Sequence, residues 1–396
     1  MKAVLKILFL AVLLTLSTFA NTHLNILKDL DIDKSFMQTS YYQQIKQGIN
    51  ERQIADFTRT LKNGYKHIYS IKDTIKISGL PEIFLYLPMI ESGFANHAVS
   101  GVKATGVWQF MDVTAKNYGL KIDKYIDERR DIVKSTKAAT SYLKGLKSQF
   151  GKWYLALMAY NCGEGRLNKA ITQAGTDDLA TLLDPTKGYL PSETRNFIIK
   201  ILKASMISKD PNFALSKDAT LLNQPVLATS KVSVPGGTSL KQISDSIGVS
   251  VKRLKDDNTH LKFAFTPPNT KSYHVYIPQN KKDIFAKNFK PVVANNRFYS
   301  YTVKSGDTLF AIAKKSGVSH KAIKEYNELK NSLVSVDQKL IIPRSDQNKF
   351  QSYVVQNGDT LEILSKKFNV KVKDIKDANS LASNDNLQVG VKIVIP

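Results

Sequence analysis

The sequence predicts a mainly α-helical protein, in which one helical domain is followed by small α+β modules of strand, helix, helix, strand order (βααβ). Three observations lead to this fold class. Apolar residues recur at helical spacing through 80–200, and a short segment at 299–344 is repeated at 351–396. The chain has 396 residues, which at roughly 100–200 residues per domain is enough for two to four folded units.

The composition is that of a folded, cationic and cysteine-poor protein. Hydrophobic residues make up 42% of the chain, so a disordered polycation is excluded. A single cysteine excludes a disulfide-stapled scaffold and a cysteine-based zinc site. The 57 Lys and Arg residues outnumber the 34 Asp and Glu residues, which gives a formal charge of +23. This charge predicts a polyanionic partner, which is nucleic acid, an anionic membrane or an acidic polymer such as cell wall.

Residues 1–20 have the order of a secretory signal peptide. Lys2 and Lys6 give a basic start, Ile7–Leu16 is an apolar run, and Thr18–Ala20 offers small residues for cleavage. The alternative is an uncleaved signal that keeps the chain at the membrane, but a spanning helix needs about 20 apolar residues and this run is shorter. We therefore predict export, which argues against nucleic acid as the partner.

Residues 21–79 are predicted to form helices that pack beside the next domain, and they carry no recognisable chemistry. Their apolar residues recur at helical spacing, as at Ile54, Phe57, Leu61 and Tyr65. Two later segments, 211–230 and 281–297, are polar and rich in Lys and Asn. Because neither has a sustained period, both are predicted to be connectors.

Glu91 is the first residue that suggests chemistry. It follows the apolar run Ile83–Ile90, and Pro81 suits the first turn of a helix. Burying a carboxyl costs several kcal/mol unless it is protonated or paired, and desolvation raises its pKa. A raised pKa is what a general acid near neutral pH requires. The alternative is a glutamate on the exposed side of a helix end.

Three motifs follow one another in a defined order. Glu91-Ser92 comes first and Gly106–Phe110 second. A helix that Ser135 is expected to cap and Gly151 to end comes next, and a following helix, Trp153–Tyr160, carries the third motif, Ala159–Gly163. A Glu-Ser pair, a Gly-apolar-x-Gln segment and an Ala-Tyr-Asn-x-Gly segment in this order resemble the soluble lytic transglycosylase family. The resemblance implies a lysozyme-like helical catalytic domain over 80–208.

The family's site residues carry over by motif position. The resemblance implies that Glu91 is catalytic and that five residues bind substrate in the cleft, namely Ser92, Ser100, Gln109, Tyr160 and Asn161. The amides of Gln109 and Asn161 can both donate and accept hydrogen bonds to sugar groups. Phe110 is expected in the core, and Trp108 in either the core or the cleft.

The implied mechanism uses one carboxyl. Glu91 protonates the oxygen between N-acetylmuramic acid and N-acetylglucosamine, and then, as a base, takes the proton of the sugar's own 6-hydroxyl, so that a 1,6-anhydro end forms without water. Hydrolysis usually takes two carboxyls. Asp112, Glu164 and Glu193 could fold toward Glu91, so a muramidase on the same fold stays open as an alternative.

The C-terminal repeat carries a second motif. Tyr301–Leu309 and Tyr353–Leu361 share their Gly-Asp-Thr-Leu ending, and Asn327 and Asn379 fall at the same phase. The repeats resemble the LysM module, which binds glycans that contain N-acetylglucosamine. The glycan-binding residues that the resemblance implies are Gly306, Asp307, Thr308, Asn327, Gly358, Asp359, Thr360 and Asn379.

A third, degenerate copy is predicted over 230–279. Val234–Leu240 aligns with Val303–Leu309, and the closing strand is expected over Tyr273–Ile277. The Gly-Asp-Thr turn is missing. We therefore expect this copy to keep the fold, with much less expectation of sugar binding.

Together the motifs predict a peptidoglycan lytic transglycosylase that LysM modules hold on the cell wall. Trp108, Asp127–Asp131 and Leu190–Arg195 favour a branch of the family whose members are often lipoproteins, yet no Cys stands at the end of this signal. Cys162 is expected to be a small filler. The alternative from another class is a non-catalytic peptidoglycan-binding protein.

The remaining expectations concern location and partners. Peptidoglycan glycan strands are the expected partner, and the chain is expected to act as a monomer in the periplasm or cell envelope of a Gram-negative-type bacterium. No cofactor is expected. No metal site is expected either, because the six His residues are scattered and form no His-x-x-x-His pair.

Overall fold

A computed structural model describes residues 22–222, 228–268, 270–290, 298–318, 320–327, 329–343, 351–368, 370–379, 381 and 387–395. The chain forms two compact units that divide after Ala228. The predicted signal peptide over 1–20 lies outside the described residues. Within the described ranges, no helix is both long and apolar enough to cross a membrane.

The first unit is helical. Residues 22–29 are helical, and the α-helices that follow are Ser40–Gln47, Glu51–Ile77, Tyr86–Ser92, Asp112–Asn117, Ile132–Phe150, Trp153–Cys162, Glu164–Ala174, Leu179–Leu183, Ser192–Lys209 and Pro211–Ala214. Short 3-10 turns lie at Lys34–Gln38, Glu82–Leu85, Glu128–Arg130 and Lys217–Leu222.

The helix Glu51–Ile77 is the longest element of this unit. The Asn50 side chain caps it by accepting a hydrogen bond from Gln53 N at 3.1 Å. Its buried residues recur every three or four positions, at Phe57, Leu61, Gly64, Ile68, Ile71 and Ile75. Gly64 faces the Phe94 ring so closely that a Cβ would lie 2.4 Å from it. The helix therefore supports the segment that follows Glu91.

The helix Ile132–Phe150 begins where Asp131 accepts a hydrogen bond from Lys134 N at 3.0 Å. The prediction that Ser135 caps this helix is wrong, because Ser135 lies inside it and is fully buried. The predicted end is confirmed, since Gly151 has the left-handed backbone, φ 76°, that commonly ends a helix.

One hydrophobic core holds the first unit together. The helix Trp153–Cys162 lies within it and buries every residue from Tyr154 to Ala159. Leu27 and Ile68, from the N-terminal helices, belong to the same core as Ile198, from the helix Ser192–Lys209. The predicted division at residue 79 therefore does not separate two cores.

In the part of the second unit that the structure describes, there are three two-stranded antiparallel sheets. The strands pair as Thr229–Pro235 with Ser272–Pro278, Phe298–Thr302 with Lys339–Pro343, and Gln351–Val354 with Lys392–Ile395. Two helices lie between the strands of each pair, namely Leu240–Ile247 and Val251–Asp257, Leu309–Ser316 and His320–Tyr326, and Leu361–Phe368 and Val372–Asn379. Each pair with its helices has the predicted βααβ order.

The predicted connectors contain helices. The segment 211–230 includes Pro211–Ala214 and the turn Lys217–Leu222, and the segment 281–297 includes Lys282–Asn288. This last helix buries Phe285, and its Asn288 Nδ2 donates to Ser246 O at 3.2 Å. The helix was not predicted, because a short polar helix with a single turn of apolar contact gives no sustained hydrophobic period.

Candidate active site

Glu91 lies in the last turn of the short helix Tyr86–Ser92. The helix ends at Gly93, whose left-handed backbone, φ 59°, turns the chain away. Ile83–Leu85 of the preceding turn and Tyr86–Met89 of the helix are all buried, so the carboxyl stands at the end of an apolar segment. Burial, with a smaller effect of the negative charge of Glu193, raises the pKa of Glu91 to about 7. The group is therefore protonated in a large fraction of molecules at neutral pH.

Ser92 and Tyr160 both bind the segment that carries Gln109. Ser92 Oγ donates to Val107 O at 2.9 Å and to Pro88 O at 3.1 Å. Tyr160 OH donates to Trp108 O at 2.7 Å. Burial raises the pKa of Tyr160 well above its usual range, and the nearby charge of Glu91 adds to that shift. Tyr160 therefore stays a neutral phenol beside Glu91 and positions the backbone.

Ser100 and Gln109 shape a compact loop between them. Ser100 Oγ accepts from Ala104 N at 3.0 Å, and Gln109 Nε2 donates to Gly106 O at 2.8 Å. Gln109 has a left-handed backbone with φ 47°, which is uncommon for a residue other than glycine and is often found at functional sites. Trp108 and Phe110 are buried. The expected core position of Phe110 is confirmed, and Trp108 takes the core position of its two alternatives.

Asn161 lies near the end of the helix Trp153–Cys162, where Thr194 orients its side chain. Thr194 Oγ1 donates to Asn161 Oδ1 at 2.8 Å, which directs the amide nitrogen the other way. Cys162 is half-buried, and burial raises the pKa of its thiol. That shift is opposite to the one that a nucleophilic thiol requires.

Sequence reasoning missed an aromatic row beside Tyr160. The Tyr142 ring lies 5.3 Å from the Tyr160 ring, and the Tyr118 ring lies 5.0 Å from the Tyr142 ring. Tyr142 OH lies 3.4 Å from Glu164 Oε1. In the sequence, Tyr142 is one of several apolar residues at helical spacing between Ser135 and Gly151. Its half-polar side chain was the signal, because a tyrosine at the edge of a core offers an apolar face and a polar tip.

The three other acids of this region differ in their surroundings. Glu193 is exposed in the first turn of its helix, and its charge acts on Glu91. Glu164 faces Tyr142. Asp112 pairs with Lys116 at 2.6 Å. Of these, Glu193 is the one with an electrostatic effect on the Glu91 carboxyl.

In the two repeats, the aspartate of the Gly-Asp-Thr turn binds its own module. Asp307 Oδ2 accepts from Lys304 N and from Tyr301 OH, both at 2.8 Å. Asp359 Oδ2 accepts from Gln356 N at 2.7 Å and from Tyr353 OH at 2.8 Å. These hydrogen bonds hold the pKa of both aspartates below the usual range.

The other turn residues also shape the backbone. Gly306 and Gly358 have left-handed φ angles of 84° and 89°, which glycine adopts without strain. Thr308 Oγ1 accepts from Ala311 N at 3.0 Å, and Thr360 Oγ1 accepts from Ile363 N at 3.2 Å. The threonines therefore cap the helices that follow the turns.

The asparagine of each repeat joins a helix to the last strand. Asn327 Nδ2 donates to Ile323 O at 2.8 Å and to Ile341 O at 2.7 Å, and its Oδ1 accepts from Ile341 N at 2.7 Å. Asn379 makes the equivalent three bonds, at 2.8, 2.7 and 2.7 Å. Asn258 does the same in the degenerate copy. These amides bind backbone, which favours a structural role over direct sugar contact.

The degenerate copy differs in the loop before its closing strand. From Asn258 to Ser272 this loop is four residues longer than the corresponding 327–337 loop. The extra length folds back on the first turn, where Gly237 N donates to Thr266 O at 3.0 Å and Leu240 N to Ala264 O at 2.7 Å. A Cβ on Gly236 would lie 2.1 Å from Thr270 O. The space beside the first turn is therefore filled by the backbone of the module's own longer loop.

The helical fold, the carboxyl at the end of a buried helix and the βααβ modules define a lysozyme-like transglycosylase with LysM modules. Three family models match the chain: a transglycosylase SLT domain over 68–182, LysM domains over 301–343 and 353–396, and the LysM-like domain of lytic transglycosylase MltD over 228–293.

Two relatives and one solved structure illustrate these matches. Membrane-bound lytic murein transglycosylase D of Escherichia coli (strain K12) is 33% identical over 349 residues, which is 83% of this chain and 76% of that protein. Cell wall-binding protein YocH of Bacillus subtilis is 36% identical over 83 residues, 21% of this chain and 29% of that one. The 70 kDa soluble lytic transglycosylase of Escherichia coli has a TM-score of 0.30 at 24% identity and covers 38% of this chain and 25% of its own.

The chain belongs to the family of membrane-bound lytic murein transglycosylase D, and it is a lytic murein transglycosylase. The resemblance that the sequence motifs indicate is thereby confirmed.

Proposed function

We propose that this enzyme cleaves the β-1,4 bond between N-acetylmuramic acid and N-acetylglucosamine with Glu91 as both acid and base. The observation that supports this most is the raised pKa of Glu91, about 7, at a half-buried helix end. A carboxyl with such a pKa can hold a proton for the leaving oxygen and then act as a base near the same pH.

The proposed reaction has two steps. Glu91 gives its proton to the glycosidic oxygen as the bond from that oxygen to C1 of the muramic acid breaks. The resulting carboxylate then takes the proton of the 6-hydroxyl while O6 bonds to C1, which closes the 1,6-anhydro ring. Glu91 ends in its starting form, and no water is consumed.

The surrounding residues are proposed to hold the glycan. Gln109 and Asn161 offer amides for N-acetyl and hydroxyl groups, and Ser100 shapes the loop before Gln109. Tyr160 and Ser92 hold the backbone at 107–108. Tyr142 is half-buried beside Tyr160 and offers a ring to the apolar face of a further sugar.

Product analysis tests the reaction type. Wild-type enzyme and the Glu91→Gln variant are incubated with purified peptidoglycan, and the soluble fragments are identified by mass spectrometry. We expect wild type to release fragments with anhydro ends, each lighter by one water than a reducing end, and Glu91→Gln to release almost none. Equal release by both proteins would overturn the proposed role of Glu91.

The alternative reaction is hydrolysis with Glu193 as the second carboxyl. The observation that favours it is the effect of the Glu193 charge on Glu91, since glycoside hydrolysis usually uses two carboxyls about 5 to 9.5 Å apart. Reducing ends from wild type, together with loss of activity in Glu193→Gln, would establish this reaction instead.

We propose that the two LysM modules bind glycan and that the degenerate module does not. Two hydrogen-bond donors organise the turn in the LysM modules, the N–H of Lys304 and the hydroxyl of Tyr301 in the first of them. At the corresponding positions of the degenerate copy stand Pro235, which has no N–H, and Val232, which has no hydroxyl. An aspartate at this turn of the degenerate copy would therefore find neither donor, and the longer loop occupies the space beside the turn.

The proposed location is the cell envelope. A murein-cleaving enzyme with wall-binding modules works where peptidoglycan is, and the predicted signal over 1–20 would deliver it to the periplasm. The formal charge of +23 favours attraction to an anionic wall polymer. We propose that the chain works as a monomer, with membrane association only if the signal stays uncleaved.

A further inference from the structure

A buried charged segment, Asp127–Arg130, lies behind the loop that carries Gln109. Its Glu128–Arg130 portion is a 3-10 turn, and Asp127, Glu128 and Arg129 are all buried. Buried charges are costly unless they are paired and hydrogen-bonded. The proposed proton transfers use none of these residues, so the segment needs another explanation.

The Arg129 guanidinium connects this segment to both ends of the loop. Its Nε and Nη2 donate to the Asp127 carboxylate at 2.9 and 2.7 Å, which is a bidentate pair. Its Nη1 donates to Lys103 O at 3.1 Å and to Phe110 O at 3.2 Å. One side chain thus closes the segment 103–110 at its first and last residues.

Two further contacts hold the same loop from behind. Gly106 has a left-handed backbone, φ 81°, and a Cβ there would lie 2.1 Å from Arg129 O. Asn96 Nδ2 donates to Arg130 O at 2.7 Å. The backbone of the charged segment therefore touches the loop at Gly106, and it also holds Asn96, which precedes the loop in the chain.

The opposite side of the loop is held by the site. Val107 O accepts from Ser92 and Trp108 O accepts from Tyr160. The loop lies between the charged segment and the residues around Glu91, and Gln109 takes its left-handed conformation within it. Such a conformation costs on the order of 1–3 kcal/mol and persists only where the surroundings enforce it.

We propose that Arg129 is a positioning residue of this enzyme, which holds the 103–110 loop so that Gln109 faces the glycan. Arginine is required because its planar fork has five N–H donors and can bind a carboxylate and two carbonyls at once. Lysine has the charge but not the fork. The proposal rests on the proposed role of Gln109 in binding the glycan.

The test compares Arg129→Lys with Lys134→Ala in the full chain. Lys134 Nζ pairs with the buried Glu128 Oε1 at 2.5 Å, so Lys134→Ala disturbs the same segment and leaves the Arg129 hydrogen bonds to the loop in place. Release of soluble fragments from peptidoglycan is measured well below the melting temperature of each variant. We expect Arg129→Lys to lose about 10- to 100-fold in kcat/KM, the size of effect that small misplacements cause, and Lys134→Ala to stay within about twofold.

A double variant separates positioning from general destabilisation. If Arg129 acts through Gln109, the Arg129→Lys/Gln109→Ala double variant is no more impaired than Gln109→Ala alone. The alkaline limit of activity, which Glu91 sets, should not move in Arg129→Lys. Wild-type kcat/KM in Arg129→Lys, an equal loss in Lys134→Ala, or additive losses in the double variant would each overturn the proposal.

Two choices keep the test decisive. If Arg129→Lys does not fold, Asp127→Asn is used in its place, because an amide offers one acceptor instead of two to the guanidinium and so loosens its hold on the loop. A fall in kcat/KM is then expected, and wild-type kcat/KM would overturn the proposal. Fragments are counted whether their ends are anhydro or reducing. An error in the proposed reaction therefore appears in the kind of product, and an error in the role of Arg129 appears in the ratio of rates.

Discussion

At the scale of single residues, the environment of Glu91 determines what the site can do. Its carboxyl is half-buried at the end of an apolar helix, with the negative charge of Glu193 nearby, and both raise its pKa. Tyr160 stays neutral beside it. The pairing of a proton-holding carboxyl with neutral hydrogen-bonding groups suits acid catalysis on a glycan, and it has consequences for pH dependence.

The first prediction concerns the pH profile. Activity should fall as the pH rises through about 7, because the protonated form of Glu91 is then lost. Replacing Glu193 by Gln removes a charge that raises this pKa, so the alkaline midpoint should move to lower pH. Glu164→Gln is the control, since Glu164 acts on Tyr142 and Tyr118. A midpoint that moves upward, or equally in both variants, would contradict the assignment.

The second prediction concerns stability. The folded state holds the Glu91 proton up to about pH 7, against an ordinary value of 4.5, so ionisation of Glu91 destabilises the fold as the pH rises between these values. Glu91→Gln should therefore have a higher free energy of unfolding in urea than wild type at pH 8, by roughly 3 kcal/mol for a pKa shift of this size. The difference should shrink as the pH falls toward 4.5.

Tryptophan fluorescence during urea unfolding measures this difference in free energy for the first, helical unit. Both tryptophans, Trp108 and Trp153, belong to the first unit, so the signal follows the fold around Glu91. Ser192→Ala, an exposed position one residue from Glu193, serves as the control. A gain in Glu91→Gln that is the same at pH 5 and pH 8 would show that desolvation of Glu91 is not its cause.

At the scale of elements, each module is closed by an asparagine that bonds the second helix to the last strand. Asn327 satisfies both the N–H and the carbonyl of Ile341. Asn258 and Asn379 repeat the arrangement. The geometry is the same in all three modules, including the degenerate copy. We therefore attribute it to the βααβ fold and not to sugar binding.

The third prediction tests this element. Asn327→Ala leaves the backbone N–H and carbonyl of Ile341 without their side-chain partner, and each such loss costs about 1–3 kcal/mol. We expect faster hydrogen exchange in peptides that contain Ile341, and no change around Glu91. The exposed Asn331, which accepts from Leu333 N, gives the matched control Asn331→Ala. Unchanged exchange in Asn327→Ala would show that the amide is dispensable for the fold.

At the scale of the whole molecule, one catalytic unit and three modules share the chain, and the modules are not equivalent. Two have a turn organised by aspartate, and the third has a loop that fills the space beside its turn. Two linked weak sites of the kind proposed for the LysM modules raise the overall affinity for one long glycan strand without any new contact. We therefore propose that the two modules keep the enzyme on the wall while Glu91 acts.

The fourth prediction is the number of glycan sites. A titration of the Glu91→Gln variant, which binds without cleaving, with N-acetylglucosamine oligomers should give two equivalent module sites per chain. Gly306→Val, which strains a backbone at φ 84°, should remove one of them. A third module site that survives in Gly306→Val/Gly358→Val would show that the degenerate copy binds sugar.

Much of the fold and part of the site followed from local patterns. The repeat at 301 and 353, the helix ending at Gly151 and the position of Glu91 after an apolar run each depend on residues close in sequence. The helix Lys282–Asn288 was not predicted, because a single turn of apolar contact leaves no sustained period. The cap of Ile132–Phe150 was assigned to Ser135 and not to Asp131, because both residue types can cap a helix and lie close together in the sequence.

The sequence by itself determined the class of chemistry and the modules, since motif order and repeat spacing are local properties of the chain. Only the tertiary structure decided the environment of those residues. The raised pKa of Glu91 depends on distant elements that bury it and on Glu193. The clamp of Arg129 on the carbonyls of Lys103 and Phe110 joins residues 26 and 19 positions apart. Burial and long-range hydrogen bonds exist only once the chain is folded, and no local pattern contains them.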